Sequence, residues 1–155
     1  MDMPGFDNHD HHVCVKDGVE AAVTHCKDNG LQLTPVRKRV LEILLERQTP
    51  LGAYDILDIL SKEGYGSQPP VAYRALDFLV KNRFAHKIER LNAFIACSQM
   101  GKSHAPIFMI CNSCEAVAEA HADPENSQIL ALANESGFSV DRLVAEVTGT
   151  CPECQ

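Results

Sequence analysis

The chain has 155 residues, 45% of them hydrophobic, with no tryptophan and a formal net charge of −7. That is apolar material for one ordinary domain or two small ones, with a core of Leu, Ile, Val and Ala rather than aromatics. No apolar run approaches the ~20 residues of a membrane span, and the opening MDMPGFDNHDHH is acidic and histidine-rich, unlike a signal peptide, so a cytoplasmic protein is expected.

Residues 1–15 read as a disordered tail, in which His9, His11, His12 and Cys14 could bind metal weakly. A first helix is expected over 16–29, stopped by Gly30. A second opens in LTPVRKRVLEILLERQ, with Thr34 as N-cap and Pro35 at the first helical position. Its Val36, Val40, Ile43 and Leu44 follow helical periodicity, and Arg37, Lys38 and Arg39 sit mostly off that stripe. AYDILDILSKEG is a third helix, ended by Gly64. After the break at SQPP, VAYRALDFLVKNR is a fourth, with Val71, Ala75, Leu76 and Leu79 inward and Tyr73, Arg74, Asp77 and Lys81 outward. AHKIER and AFIAC then read as two short strands around a turn at Leu91–Asn92.

Helices followed by a β-hairpin are the order of a winged helix-turn-helix. In that architecture the fourth helix enters the major groove and presents Tyr73 and Arg74 to bases and phosphates. The alternative is a small helical domain whose last helix is merely amphipathic. Charge distribution favours the first. Residues 35–90 hold ten Lys and Arg against seven Asp and Glu, whereas 1–34 hold two against six and 91–155 two against eight. A basic segment inside an acidic chain marks a localised anion-binding face.

Beyond CSQMGKSHAP the composition changes. IFMIC is a strand, EAVAEAHA a second, ENSQILALANESG a helix and RLVAEVTG a third strand. At ~60 residues this α+β unit is small for a self-sufficient core, so a staple or a partner subunit is expected.

The staple is visible in the cysteines. There are seven (14, 26, 97, 111, 114, 151 and 154), an odd count containing two C-x-x-C pairs. In a reducing compartment this favours metal thiolates over disulfides. Thirty-six residues separate Cys114 from Cys151, and a strand–helix–strand excursion can bring the two pairs together. Four thiolates leave zinc no vacant position, so the site is expected to be closed and structural. Cys97, His86, His104 and Glu119 form a second possible set, with S, N, N and O donors suited to zinc. Nothing local forces them together, and each has a plainer reading as a buried small residue, a surface imidazole or a solvated carboxylate. His121, on the same strand face as Glu119, could compete as a ligand.

The segments LTPVRKRVLEIL, AYDILDIL, PPVAYRALDFLVKNRFAHKIE, FIAC, SHAPIFMICNSCEAVAE and CPEC, in uninterrupted order from about residue 16, resemble the ferric uptake regulator family, most closely its zinc uptake regulator branch. The resemblance implies a homodimer with a winged-helix DNA-binding domain (16–97) and an α/β dimerisation domain (98–155) carrying the four-cysteine zinc. It also implies a second, regulatory zinc on His86, Cys97, His104 and Glu119, and hence two zinc ions per chain. Tyr73, Arg74, Arg37 and Tyr54 are then expected at the DNA, although the 37–39 cluster also fits an ordinary solvated helix face.

Two departures from the iron- and peroxide-responsive pattern point to zinc. Only His104 remains of the usual H-H-x-H run, and Leu143 stands where a further His is expected. The thiolate that remains favours zinc over iron(II). In the recognition helix the usual PTVYR is PVAYR, with Ala72 in place of a larger side chain.

The expected function is therefore a zinc-responsive, sequence-specific repressor of zinc uptake and homeostasis genes, and not an enzyme. An iron-, manganese- or peroxide-responsive regulator, a thiol oxidoreductase and a zinc-ribbon interaction module are the alternatives.

Overall fold

The helices and strands arise largely where capping and periodicity place them. In a computed structural model describing residues 11–47, 49–101, 104–123 and 127–155, the chain is α+β and divides into two units, one up to residue 101 and one from residue 104.

The first unit holds α1 (His11–Asp28), α2 (Pro35–Glu46), α3 (Ala53–Lys62), α4 (Pro69–Lys81), β1 (Ala85–Ile88) and β2 (Ala93–Ala96). The Thr34 hydroxyl accepts the Arg37 backbone N–H at 3.4 Å, satisfying one orphan donor of α2, and Pro35 opens the helix as expected. Beyond α3, Gly64 sits at φ +84°, a conformation that a side chain would strain. β1 and β2 pair antiparallel with His86 opposite Ile95, and Asn92 closes the hairpin at φ 46°, ψ 46°. Leu51, between α2 and α3, exchanges two backbone hydrogen bonds of 2.9 and 2.7 Å with Phe94. The wing is thereby tied to the helices.

The core of this unit is a cluster of Val40, Leu41, Ile43 and Leu44 from α2, Ile56 and Leu60 from α3, and Leu76 and Leu79 from α4, with Phe84 beneath the wing. Each such side chain contributes about 1.5–3 kcal/mol by leaving water.

Some details differ from the sequence expectation, among them the start of α4, which opens at Pro69 within the SQPP stretch expected to be a break. The first helix begins at His11 rather than near 16, so residues 11–15 of the expected tail are helical. Residues 1–10, with His9, lie outside the described residues. In α4 it is Ala72, not Val71, that is fully buried beside Ala75, Leu76 and Leu79. The small side chain at position 72 is therefore a packing feature of the domain interior.

The second unit holds β3 (Ala105–Cys111), β4 (Val117–Ala122), α5 (Gln128–Glu135) and β5 (Ala145–Gly149), then a final 3-10 turn, Pro152–Cys154. The sheet order is β4-β3-β5, with β3 antiparallel to β4 and parallel to β5. Ser127 caps α5 by accepting the Leu130 N–H at 3.4 Å. Phe108, in the central strand, is fully buried, whereas Ile129, Leu132, Phe138, Val144 and Val147 all stand exposed.

Candidate metal centres and nucleic-acid face

β3 runs into the first C-x-x-C pair and β5 into the second. Because β3 and β5 are parallel neighbours, with Cys111 opposite Gly149, both pairs emerge at the same end of the sheet. The four sulfurs of Cys111, Cys114, Cys151 and Cys154 all lie within 4.8 Å of one another. Cys114 Sγ and Cys151 Sγ are 3.8 Å apart, and two thiolates at tetrahedral angles on one zinc, with Zn–S about 2.3 Å, stand about 3.8 Å apart.

The electrostatics fit a cation at the centre. Backbone N–H groups of Cys151, Cys114 and Ser113 aim at Cys111 and hold its thiol down to about 6. The Cys151 N–H is 3.4 Å from the Cys111 sulfur. The adjoining Cys151 and Cys114 side chains push Cys154 up to about 12. Cys114 also stays above the ordinary thiol range: the Ala116 N–H favours its thiolate, but the Cys111 side chain and burial outweigh it. One sulfur gains negative charge easily and its neighbours then resist it, a conflict that a dication resolves.

The second expected set comprises two pairs. On the wing, His86 and Cys97 are 4% and 3% exposed, and their donor atoms lie within 4.8 Å of each other. β1 supplies His86. Cys97 follows β2 and is fixed by its N–H donating to the Phe84 carbonyl at 2.9 Å. The Gln99 N–H points at the Cys97 sulfur at 3.3 Å. In the second unit, His104 Nε2 is 3.1 Å from Glu119 Oε1, and both side chains are 6% exposed. These are two buried pairs of zinc-type donors, one in each unit. The remaining described cysteines offer less. Cys14 is half-buried on α1, and Cys26 is buried, which pushes its thiol up against a smaller opposing pull from Arg37.

On the outer side of α4, Tyr73, Arg74, Asp77 and Lys81 are exposed, as the helical pattern predicts. Tyr54, 69% exposed on α3, meets Tyr73 edge-on at 6.5 Å between ring centroids. Only the fold brings these two rings together. The basic run at 37–39 has partners of its own. The Arg37 guanidinium lies 3.9 Å over the Phe78 ring and donates to the Gln32 carbonyl at 2.6 Å. Arg39 reaches both Glu63 oxygens at 2.7 and 2.8 Å, and Glu46 and Glu42 at 3.1 and 3.3 Å. Of the three, Lys38 is the exposed one.

Known proteins resemble this chain in sequence and fold. The sequence model described as the ferric uptake regulator family matches residues 28–147. The zinc uptake regulation proteins of Escherichia coli (strain K12) and Shigella flexneri are each 35% identical over 130 residues, covering 83% of this chain and 76% of the relative. Among solved structures, a zinc uptake regulator complexed with zinc and DNA is similar at TM-score 0.84 and 33% identity, covering 90% of this chain and 94% of the other. Holo XcZur is similar at TM-score 0.81 and 37% identity, covering 89% and 96%.

Proposed function

The chain belongs to the ferric uptake regulator family, and from that premise we propose that it is a zinc-responsive repressor binding operator DNA as a homodimer in the cytoplasm. The observation that carries the reading is the occurrence of two buried donor pairs, His86 with Cys97 and His104 with Glu119, on either side of the connection between the units. Their combined S, N, N and O donors suit zinc better than iron(II) or manganese(II), because thiolate is the softer ligand. Burial of Cys97 also argues against a thiol that meets peroxide directly.

In this reading each chain takes two zinc ions. Cys111, Cys114, Cys151 and Cys154 hold one permanently and keep the second unit folded. His86, Cys97, His104 and Glu119 hold the other reversibly. Two winged helices of a dimer must meet half-sites about one helical turn apart. A zinc ion that fixes the connection raises the fraction of molecules with that spacing. Zinc and operator then strengthen each other's binding by the same factor, typically about 5–150-fold.

Tyr73 and Arg74 are the proposed groove contacts, with Tyr54 beside them, and Arg37 flanks the phosphates. The exposed Ile129, Leu132, Phe138, Val144 and Val147 supply apolar surface for a second copy. No helix of the described residues is long and apolar enough to cross a membrane.

The test is to select duplexes from a randomised pool with zinc present, then titrate the selected duplex against free zinc, iron(II) and manganese(II). Tightest binding with zinc is expected. Equal binding with the second metal absent and the four-cysteine zinc retained would overturn the reading.

A further inference from the structure

We propose that His121 is a further zinc ligand. With His104 and Glu119 it forms a three-donor site inside the second unit, where zinc is held before His86 and Cys97 engage it. This rests on the regulatory site proposed above and names how that site is loaded.

Strand geometry puts the three side chains together. Glu119 and His121 are two residues apart on β4 and therefore share a face. In the β3–β4 ladder Glu119 stands opposite Phe108 and His121 opposite Pro106, and His104 immediately precedes the first ladder residue, Ala105. His104 Nε2 is 3.1 Å from Glu119 Oε1, and His121 Nδ1 is 3.9 Å from the same oxygen. The two imidazole rings meet edge-on at 5.1 Å. Two N or O donors on one tetrahedral zinc lie about 3.4 Å apart. The first pair is within about 0.3 Å of that spacing and the second within about 0.5 Å.

The chemistry differs from that of the four-cysteine centre. Two imidazoles and a carboxylate leave a position for water, the donor set of an open and exchangeable zinc site. His121 is also the outermost of the three, 22% exposed against 6% for each of the others, so it meets an incoming ion first. Transfer is a ligand exchange. His86 and Cys97 would replace His121 and water as donors, with the thiol proton passing to solvent. The thiolate makes the final site the tighter one, while the triad gives zinc a resting place that does not depend on the wing. His121 thus sets how readily the sensor fills and empties.

The experiment uses the full chain carrying His86→Ala and Cys97→Ala, titrated with zinc, and with cobalt(II) as a spectroscopic probe, at a loaded four-cysteine site. The double variant is expected to keep one weaker metal beyond the structural one. Adding His121→Ala or His121→Asn should weaken that metal by at least about tenfold. Adding His121→Cys instead should restore it and introduce a sulfur-to-cobalt charge-transfer band. No extra metal in the double variant, or affinity indifferent to the residue at 121, overturns the proposal. Structural zinc content and circular dichroism separate ligand loss from misfolding, and the polar Asn variant covers a failure of Ala to fold. The outcome is independent of the regulatory reading, which stands or falls on zinc-dependent operator binding by the unaltered chain.

Discussion

Cys114 Sγ stands 3.8 Å from Cys151 Sγ, although the two belong to turns at opposite ends of the second unit's sequence. Nothing covalent joins them, and the parallel pairing of β3 with β5 brings them together. A zinc ion on all four sulfurs converts that juxtaposition into a cross-link. Structural zinc binding is worth on the order of 10–16 kcal/mol in small domains, comparable to the whole ~5–15 kcal/mol stability of a folded domain. Cys111→Ser is therefore expected to abolish the β3–β4–β5 fold rather than loosen it. Zinc content one ion lower per chain, with loss of sheet signals by nuclear magnetic resonance, is the outcome to look for.

Cys97→Ser is expected to behave differently. The Cys97 N–H bond to Phe84 survives the change, and only the soft donor is lost. The variant should melt close to the unaltered protein and keep its four-cysteine zinc. Its operator affinity should no longer respond to free zinc, forfeiting a coupling of about 5–150-fold. Paired melting and operator titrations decide this, and a variant that still responds fully to zinc removes Cys97 from the site.

Arg74 is exposed on the outer side of α4. If it contacts a phosphate, Arg74→Ala weakens all duplexes alike and lowers the slope of log affinity against log salt by about 1. If it reads a base, discrimination falls instead, by about 1–3 kcal/mol at one position. Affinities for operator and scrambled duplex across a salt series separate the two, and no change in any of them excludes Arg74 from the interface.

The Arg39 hydrogen bond holds the Glu63 carboxyl below its usual range. A depressed folded-state pKa means stability that is complete above the ordinary carboxylate range and lost as pH falls through the folded value. Glu63→Gln should accordingly melt below the unaltered protein at pH 7. The gap should close on acidification toward and below the carboxylate range. Melting temperatures of both proteins over pH 3–8, a range on the order of the relevant carboxylate titrations, provide the measurement, and a gap that widens in acid contradicts the assignment.

Features encoded by neighbours along the chain were legible in the sequence. Thr34 and Pro35 announce α2, Leu91 and Asn92 announce the hairpin, and the spacing of the C-x-x-C pairs announces a four-sulfur site. Contacts made at long range were not. Arg39 looks like part of a basic face until Glu63, at the far end of α3, is seen to hold it in a two-point grip. Arg37 appears solvated until Phe78 of α4 comes up beneath it. Ala72 stands beside the outward Tyr73 in the recognition-helix motif, yet helix phase turns it fully inward. The second donor set could be chosen by chemistry and by resemblance, but burial of each pair depends on the strand ladder that carries Glu119 and on the wing that carries His86 and Cys97.

The carboxylates around Arg39 bear on how such a protein would live among a genome's worth of DNA. Three glutamates surround one guanidinium, so this part of α2 offers a polyanion no net attraction, in a chain whose formal charge is already −7. Attraction to arbitrary sequence grows with the number of uncompensated cations at the surface. A regulator built this way lingers only briefly on random duplex. Its occupancy of a promoter then rests on specific contacts more than on charge.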